Sequence, residues 1–418
     1  MLSTLRAAWR VGDLRRRLLF TFYMFLVFRL GVHVTVPGID PAVIQQMFQE
    51  GTLFSLLDLF SGGALKAFSV FALGIGPYIT SSIIVQLLTV VIPKWEQLAK
   101  EGEEGRRRLN QYTRYGTVVL ALVQGFGIAL GLRGAMLNPG FMSVFIVVWA
   151  LTAGTAFLMW LGELITDRGI GNGISLIIFA GIVSGLPGGI GNVLTYLVAR
   201  RITVLNVAVL GVFGLLVIAA VVWVLEGERR IPVQYAKRVV GRRMYGGQST
   251  HIPMKVNQAG VIPVIFSTSV LAFPATIAQF INHPVAQSIA NALDARRPLY
   301  MVTNALLIIF FAYFYTAISF NPVEVANNMK KYGGFIPGLR PGRPTVEHLE
   351  RVLARLTLVG AIFLVTINAL PNFMMRLTNV PGLAFGGTAL LIVVGVALET
   401  MRQIEAHLLL RNYQGFMK

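Results

Sequence analysis

Between Ala67 and Pro93 the chain reads AFSVFALGIGPYITSSIIVQLLTVVIP, a run without a single charge. It is longer than the roughly 20 apolar residues that a membrane-crossing helix needs. Yet Gly74-Ile75-Gly76-Pro77 lies inside it. Proline lacks an amide donor and disfavours helix in the residue before it, so the run is predicted to break there. Residues 77–92 rise roughly 24 Å as helix, close to a full crossing, whereas 67–73 rise only about 10 Å. The stretch from Ser61-Gly62-Gly63-Ala64 to Leu73 is therefore expected to be a short half-helix, about 61–73, entering from outside. Irregular backbone at membrane depth survives only when protein shields it or when it faces a water-filled cavity. Two readings fit: a kinked helix inside a bundle, or a re-entrant plug lining a cavity.

The rest of the chain places this run in an integral membrane protein. Of 418 residues, 55% are hydrophobic and 13% charged, and the mean hydropathy is +0.68; a soluble domain is about 25% charged. Charge at the bilayer centre is costly, so the gaps between charges map the spans. Uncharged windows cover 67–93, 115–132, 134–162, 169–199, 202–225, 256–293, 298–323, 356–375 and 377–398. Leu18 to Val36 adds one more, interrupted only by Arg29; it is too long and too late for a cleavable signal segment. The expectation is an all-α polytopic fold with ten transmembrane helices. With the N-terminus inside, 28 Lys and Arg fall on the inner side and 7 on the outer, so both termini are expected in the cytoplasm. The spans divide five and five, residues 1–200 and 201–418, which permits an inverted repeat; the halves share no convincing sequence match. Two inner loops, about 227–255 and 321–355, are too long to be mere connectors.

Several chemistries are excluded. There is no Cys, and the five His have no metal-ligand spacing, so no metal or cofactor is expected. Glu163, Glu226 and Glu399 fall at inner helix ends, where a solvated charge is the default. Arg29 either snorkels or binds a neighbouring carbonyl. No phosphate-binding G-x-x-x-x-G-K-[ST] motif exists, and Gly169-Ile170-Gly171-Asn172-Gly173 reads as a tight inner turn. No Ser/His/Asp set forms, so the protein is expected not to be an enzyme and to take its energy from a partner. Ile79 and Ile83, and Ile178 and Ile182, share helix faces at i, i+4; packing or lipid contact explains them as readily as a function. Polar residues cluster on the second span (Thr80, Ser81, Ser82, Gln86, Thr89) and around the seventh (Asn257, Gln258, Ser267, Thr268, Ser269). They read either as interhelical hydrogen bonding or as an openable seam.

Longer motifs carry a resemblance. They are Ala72 to Leu88 (ALGIGPYITSSIIVQLL), Trp160 to Phe179 (WLGELITDRGIGNGISLIIF), Glu228 to Ala236 (ERRIPVQYA), Lys255 to Pro263 (KVNQAGVIP), Asn321-Pro322-Val323-Glu324, and Phe335 to Gly342 (FIPGLRPG). With these the chain resembles the SecY family, the central subunits of bacterial protein-conducting channels. The resemblance implies an hourglass channel of two inverted five-helix halves in the bacterial cytoplasmic membrane. SecE would clamp it from outside, with SecG at the periphery. The segment with Ser61, Gly62, Gly63, Ala64 and Phe68 would be the plug. Ile79, Ile83, Ile178, Ile182, Ile265 and Ile392 would form the apolar constriction. A lateral gate between spans two and three and spans seven and eight, with Thr80, Gln86, Thr89 and Asn257, would release signal peptides and membrane segments of nascent chains into lipid. Loop 227–255 has extended stretches at Ile231–Tyr235 and Thr250–Val256, a hairpin around Arg242 and Arg243. The Pro/Gly-rich segment 335–344 presents Arg340. In the family these loops bind the SecA ATPase and the ribosome. The competing class is a solute permease or lipid carrier, which the scarcity of intramembrane ionisable groups and the two large basic loops oppose.

Overall fold

Glycine and proline punctuate the apolar windows, and the helices begin and end at them. The computed structural model describes residues 2–40, 43–44, 58, 61–200, 202–235, 238–240, 243–245, 249–280, 288, 292, 297–378 and 387–415. The first half contains α1 (Leu2–Arg10), α2 (Gly12–Gly31), α3 (Gly76–Val91), α4 (Pro93–Lys100), α5 (Glu103–Gly131), α6 (Phe141–Arg168) and α7 (Gly173–Val198). Pro77 stands in the first turn of α3, where its missing amide costs nothing. Pro93 ends α3 and starts α4, bent away by 103°. Asn172 caps α7 by accepting from the Ser175 amide at 3.1 Å. The tight turn expected at 169–173 joins α6 to α7, with Gly171 at φ 90°.

The second half contains α8 (Val204–Glu226), α9 (Ile262–Phe280), α10 (Pro298–Ser319), α11 (Pro322–Lys331), α12 (Arg343–Thr378) and α13 (Gly387–Gly415). Ten long helices thus stand where ten crossings were expected. By length and apolar composition seven of them can cross a membrane, and the bent α3–α4 pair is an eighth. The other two are α2, which carries Asp13, Arg15, Arg16 and Arg17 at its N-terminal end, and the shorter α9. The protein is a multi-pass membrane protein, and apolar side chains such as Leu205, Leu215, Leu216 and Trp223 of α8 stay exposed for lipid to cover.

Two departures from the sequence reading matter. The half-helix expected over 61–73 is not continuous: Ser61 is helical, and 62–75 run as successive turns apart from a bridge at Ser69. Positive φ at Gly62, Gly63 and Gly74, and at Phe68 (φ 44°), accounts for this, because a right-handed helix cannot hold such residues. The long loops at about 227–255 and 321–355, in turn, fold together. β1 (Glu228–Tyr235) pairs antiparallel with β4 (Ser249–Lys255), from Glu228 opposite Lys255 to Gln234 opposite Ser249. β2 (Arg238–Val240) and β3 (Arg243–Tyr245) pair antiparallel in a separate two-stranded sheet. β5 (Gly334–Phe335) adds to the other edge of β1. Ile231 and Val233 alternate inward and meet Met254, Met329, Ile336, Leu349, Val352 and Leu353 in one small core. The two loops therefore form a single body on one end of the bundle, with α12 running from it into the membrane region.

Candidate functional site

The turn segment 62–75 is the most irregular backbone among the membrane helices, and its amides are accounted for nearly one by one. Those of Gly63, Ala67, Phe68, Ser69, Ala72 and Gly74 donate to carbonyls of Asp58, Gly63, Leu65, Ala64, Ser69 and Phe71. Side chains take others: Leu65 donates to Ser61 Oγ, Lys66 to Asp58 Oδ1 and Phe71 to Ser69 Oγ. Val70 donates to Val34 at 2.9 Å and Val36 donates to Phe68 at 3.0 Å, a two-bond ribbon to the chain just after α2. With so few donors left over, the segment can sit at membrane depth.

Its seat has three walls, each made possible by a glycine. A Cβ at Gly154 of α6 would stand 1.8 Å from the Val70 carbonyl oxygen. One at Gly31 of α2 would strike the Phe71 ring, and one at Gly62 would come within 2.9 Å of Gly181 Cα on α7. The Phe71 ring stacks on Phe28 of α2 (centroids 6.2 Å) and on Phe157 of α6 (5.8 Å). Phe68 is buried among Leu65, Ala72, Leu132 and Leu151, and that packing holds its strained φ. Sequence reasoning missed Phe28, Phe157 and Gly154; the small-residue run Thr152-Ala153-Gly154-Thr155-Ala156 was the available signal of a close backbone approach.

Beneath the seat lies the apolar cluster. Ile79 and Ile83 on α3, Ile178 and Ile182 on α7, Ile265 on α9 and Ile392 on α13 are all buried, and all six belong to one continuous cluster. Ala64, Phe71 and Ile75 belong to it too. The candidate ring, contributed by four helices, and the candidate plug are thus in one packing unit.

The candidate gate residues bond locally. Thr80 Oγ1 donates to Gly76 O (3.1 Å), Gln86 Nε2 to Ser82 Oγ (3.2 Å), Thr89 Oγ1 to Gln86 O (2.6 Å) and Asn257 Nδ2 to Gly260 O (2.8 Å). Thr89 and Asn257, expected as gate contacts, therefore spend their donors within their own segments. Across this line α9 packs against both α3 and α5. Ser81 ties α3 to α5 through the Thr113 carbonyl at 2.8 Å, and Ser267 ties α9 to Asn304 of α10. The hydrogen bonds of Ser267 and Thr268 on α9 run to Asn304 of α10 and to carbonyls of α9 itself. The halves also meet elsewhere, where α13 packs against α7 and α1. There the Gly171 amide donates to Gln403 Oε1 at 2.9 Å, and Ala8, Leu14, Ile170 and Ile404 share a core. Glu163, read as solvated, instead accepts from Arg114 Nε at 2.8 Å and ties α6 to α5.

On the inner body, Arg340 is exposed at a tip between Gly338 (φ 82°) and Gly342 (φ 114°), and its carbonyl accepts from Thr345 Oγ1 at 3.0 Å. Arg243 lies on β3, and Arg242 lies outside the described residues. At the junction with the bundle, burial holds the Lys255 ammonium below the usual lysine range, and the nearby Arg402 adds to the effect. Among the described residues no group of His, Asp and Glu could hold a metal.

A family described as SecY matches residues 69–401. The chain belongs to the SecY family. A protein translocase subunit SecY of Halalkalibacterium halodurans is 49% identical over the full length of both chains. Two solved structures share the fold at 20% identity, each covering 94% of this chain and 92% of the other. One concerns the plug domain of SecY, which stabilises the closed state of that channel and maintains a membrane seal (TM-score 0.69). The other is Sec61 in a canine ribosome–channel complex (TM-score 0.62). The protein is a protein-conducting channel subunit of the translocase, not an enzyme.

The seat generates a direct test. Gly154→Ala puts a methyl where the Val70 carbonyl lies, so the turn segment must shift off α6. Thermal unfolding in detergent is expected to show a loss of about 1–3 kcal/mol, the usual cost of overpacking, with unchanged helix content.

Proposed function

We infer that this subunit carries unfolded secretory polypeptides through its centre and releases hydrophobic segments sideways into the cytoplasmic membrane. The observation that carries the reading is the seam between α9 and the α3–α5 pair. Each side is stitched internally by a buried hydrogen bond, while Ile79 and Ile83 on one side and Ile265 on the other meet in a shared apolar cluster. Parting such a seam strands no buried donor, which is the costly event in a low dielectric. The opposite line, with its Gly171–Gln403 bond and shared core, is the side that stays together.

The other elements take roles around that seam. Six isoleucines at one constriction offer a stiff, unwettable collar that blocks ions without selecting a peptide sequence. The segment 61–75 is the plug, closing the outer funnel above the collar. A signal peptide's apolar core of 7–15 residues fits an opened seam and can pass on to lipid. Residues 1–200 and 201–418 are the two halves that move apart, with both termini in the cytoplasm. The inner body, with Arg242, Arg243 and exposed Arg340, is the docking face for SecA and the ribosome. Guanidinium groups suit acidic protein surfaces and RNA phosphates alike. SecE and SecG complete the assembly.

Three outcomes test the scheme. A disulfide between cysteines replacing Thr89 and Asn257 should stop export of a secretory precursor into vesicles, and reductant should restore it. Export through the oxidised channel would place the exit elsewhere. Ile392→Asn should ease opening by about 1–2 kcal/mol, the scale of one buried polar–apolar exchange, or roughly ten-fold in population. Export of a signal-defective precursor reports it, with exposed Ile362→Asn on α12 as the unaffected control. Arg340→Glu should leave the chain folded and SecE-bound yet abolish SecA-driven transport, read as precursor protected from protease.

A further inference from the structure

Arg29 is the one charge inside the first crossing, in the last turn of α2. Its Nη1 donates to the Gly62 carbonyl at 2.9 Å and to Ser184 Oγ at 3.2 Å. Ser184 in turn donates to Gly181 O at 2.7 Å, and its hydroxyl also lies 3.4 Å from Gly62 O. One guanidinium therefore gathers α2, the first turn of the plug and α7 at a point. Gly62 is the residue whose backbone touches α7 at Gly181, between the candidate collar residues Ile178 and Ile182.

The chemistry of the contact is unusual for a membrane arginine. Among the described residues Arg29 has no carboxylate partner, so neutral oxygens alone meet its charge. Charge-assisted hydrogen bonds are stronger than neutral ones, yet neutral acceptors leave no stranded counter-charge when they part. A group placed to build the fold would gain more from an ion pair. A group placed to hold a movable segment, and to let it go, is suited by this arrangement.

We propose that Arg29 is the latch of the plug, a positioning residue that sets how readily the closed channel opens. The latch rests on the plug reading of residues 61–75. The contact with Gly62 breaks when the segment leaves its seat, and Ser184 then remains as the resting place of the guanidinium on α7. Removing the latch leaves the seat's glycines and the Phe28–Phe71–Phe157 stack in place, so the plug still docks but departs more often.

The absence of cysteine from the chain makes the test direct. Ala64, fully buried in the plug, is replaced by cysteine in the assembled translocase in vesicles. A membrane-permeant maleimide then reads how often the site opens. In idle channels Arg29→Gln is expected to speed labelling about ten-fold, a shift that one charge-assisted hydrogen bond sustains. Arg29→Lys, which keeps charge and a donor, should restore much of the slow rate, and Ser184→Ala should speed labelling about two-fold. A control cysteine at Ile308, fully buried on α10, should stay slow throughout. Equal rates in Arg29→Gln and its parent overturn the latch. So does parallel acceleration at the Ile308 site, which would mark Arg29 as a packing residue. If Arg29→Gln does not assemble, Ser184→Ala decides, and an unchanged rate there overturns the proposal. A signal-bearing precursor engaged with the Arg29 channel must itself speed Ala64 labelling. If it does not, the plug reading falls and the latch with it; if it does while the Arg29 variants do nothing, the latch alone falls.

Discussion

Unpaired backbone cannot stand in a membrane, and the architecture follows from how this protein satisfies that rule at residues 62–75. A helix would meet it automatically. Here glycines at positive φ and a strained Phe68 give the helix up, and each freed donor has to be met by local turns, Ser and Asp side chains, or the ribbon at Val34 and Val36. The surrounding helices are shaped to admit that ribbon. Gly31, Gly154 and Gly181 are the places where α2, α6 and α7 come close enough to shield it. The six isoleucines pack in the same buried cluster as Ala64, Phe71 and Ile75 of that segment.

The two lines along which the halves meet differ in kind. Apolar burial against α9 is strong but non-directional, about 25 cal/mol per Å² of surface removed from water, and in a bilayer lipid tails can replace much of it. Contacts of that sort can slide or part and re-form. The α7–α13 line adds a directional bond from the Gly171 amide and a core shared with α1. The two lines thus differ in how much directional bonding holds them.

Much of this was legible in the sequence. Charge gaps marked the places of ten long helices because lipid penalises charge more than any local propensity can offset. The Gly-Ile-Gly-Pro break located the start of α3 for the same reason that proline ends helices. The isoleucine pairs at i, i+4 read as shared faces and do lie in one cluster. The form of segment 62–75 was not legible, since positive φ at Phe68 comes from tertiary packing that no residue type announces. Nor was the partner of Glu163, whose arginine lies 49 residues away, or the joining of two distant loops by a two-residue strand at Gly334 and Phe335. Arg29 could be flagged as out of place, but its acceptors are a backbone carbonyl and a serine that carries no motif.

The length of α12 has a mechanical consequence. Its 36 residues make a rod of about 54 Å. One end carries Leu349 and Val352 in the core of the inner body. The middle carries Gly360 against Val256 and Asn257, at the entrance to α9, and beyond it Leu364 and Ile367 lie in the central cluster. The helix runs on through Gly360, and no proline separates these stations before Pro371. A partner that leans on the body applies torque to a stiff lever, and by simple geometry a tilt of about 5° moves the far end by about 5 Å. Force delivered to that body thus arrives at the entrance to α9 as displacement, carried along one continuous helix.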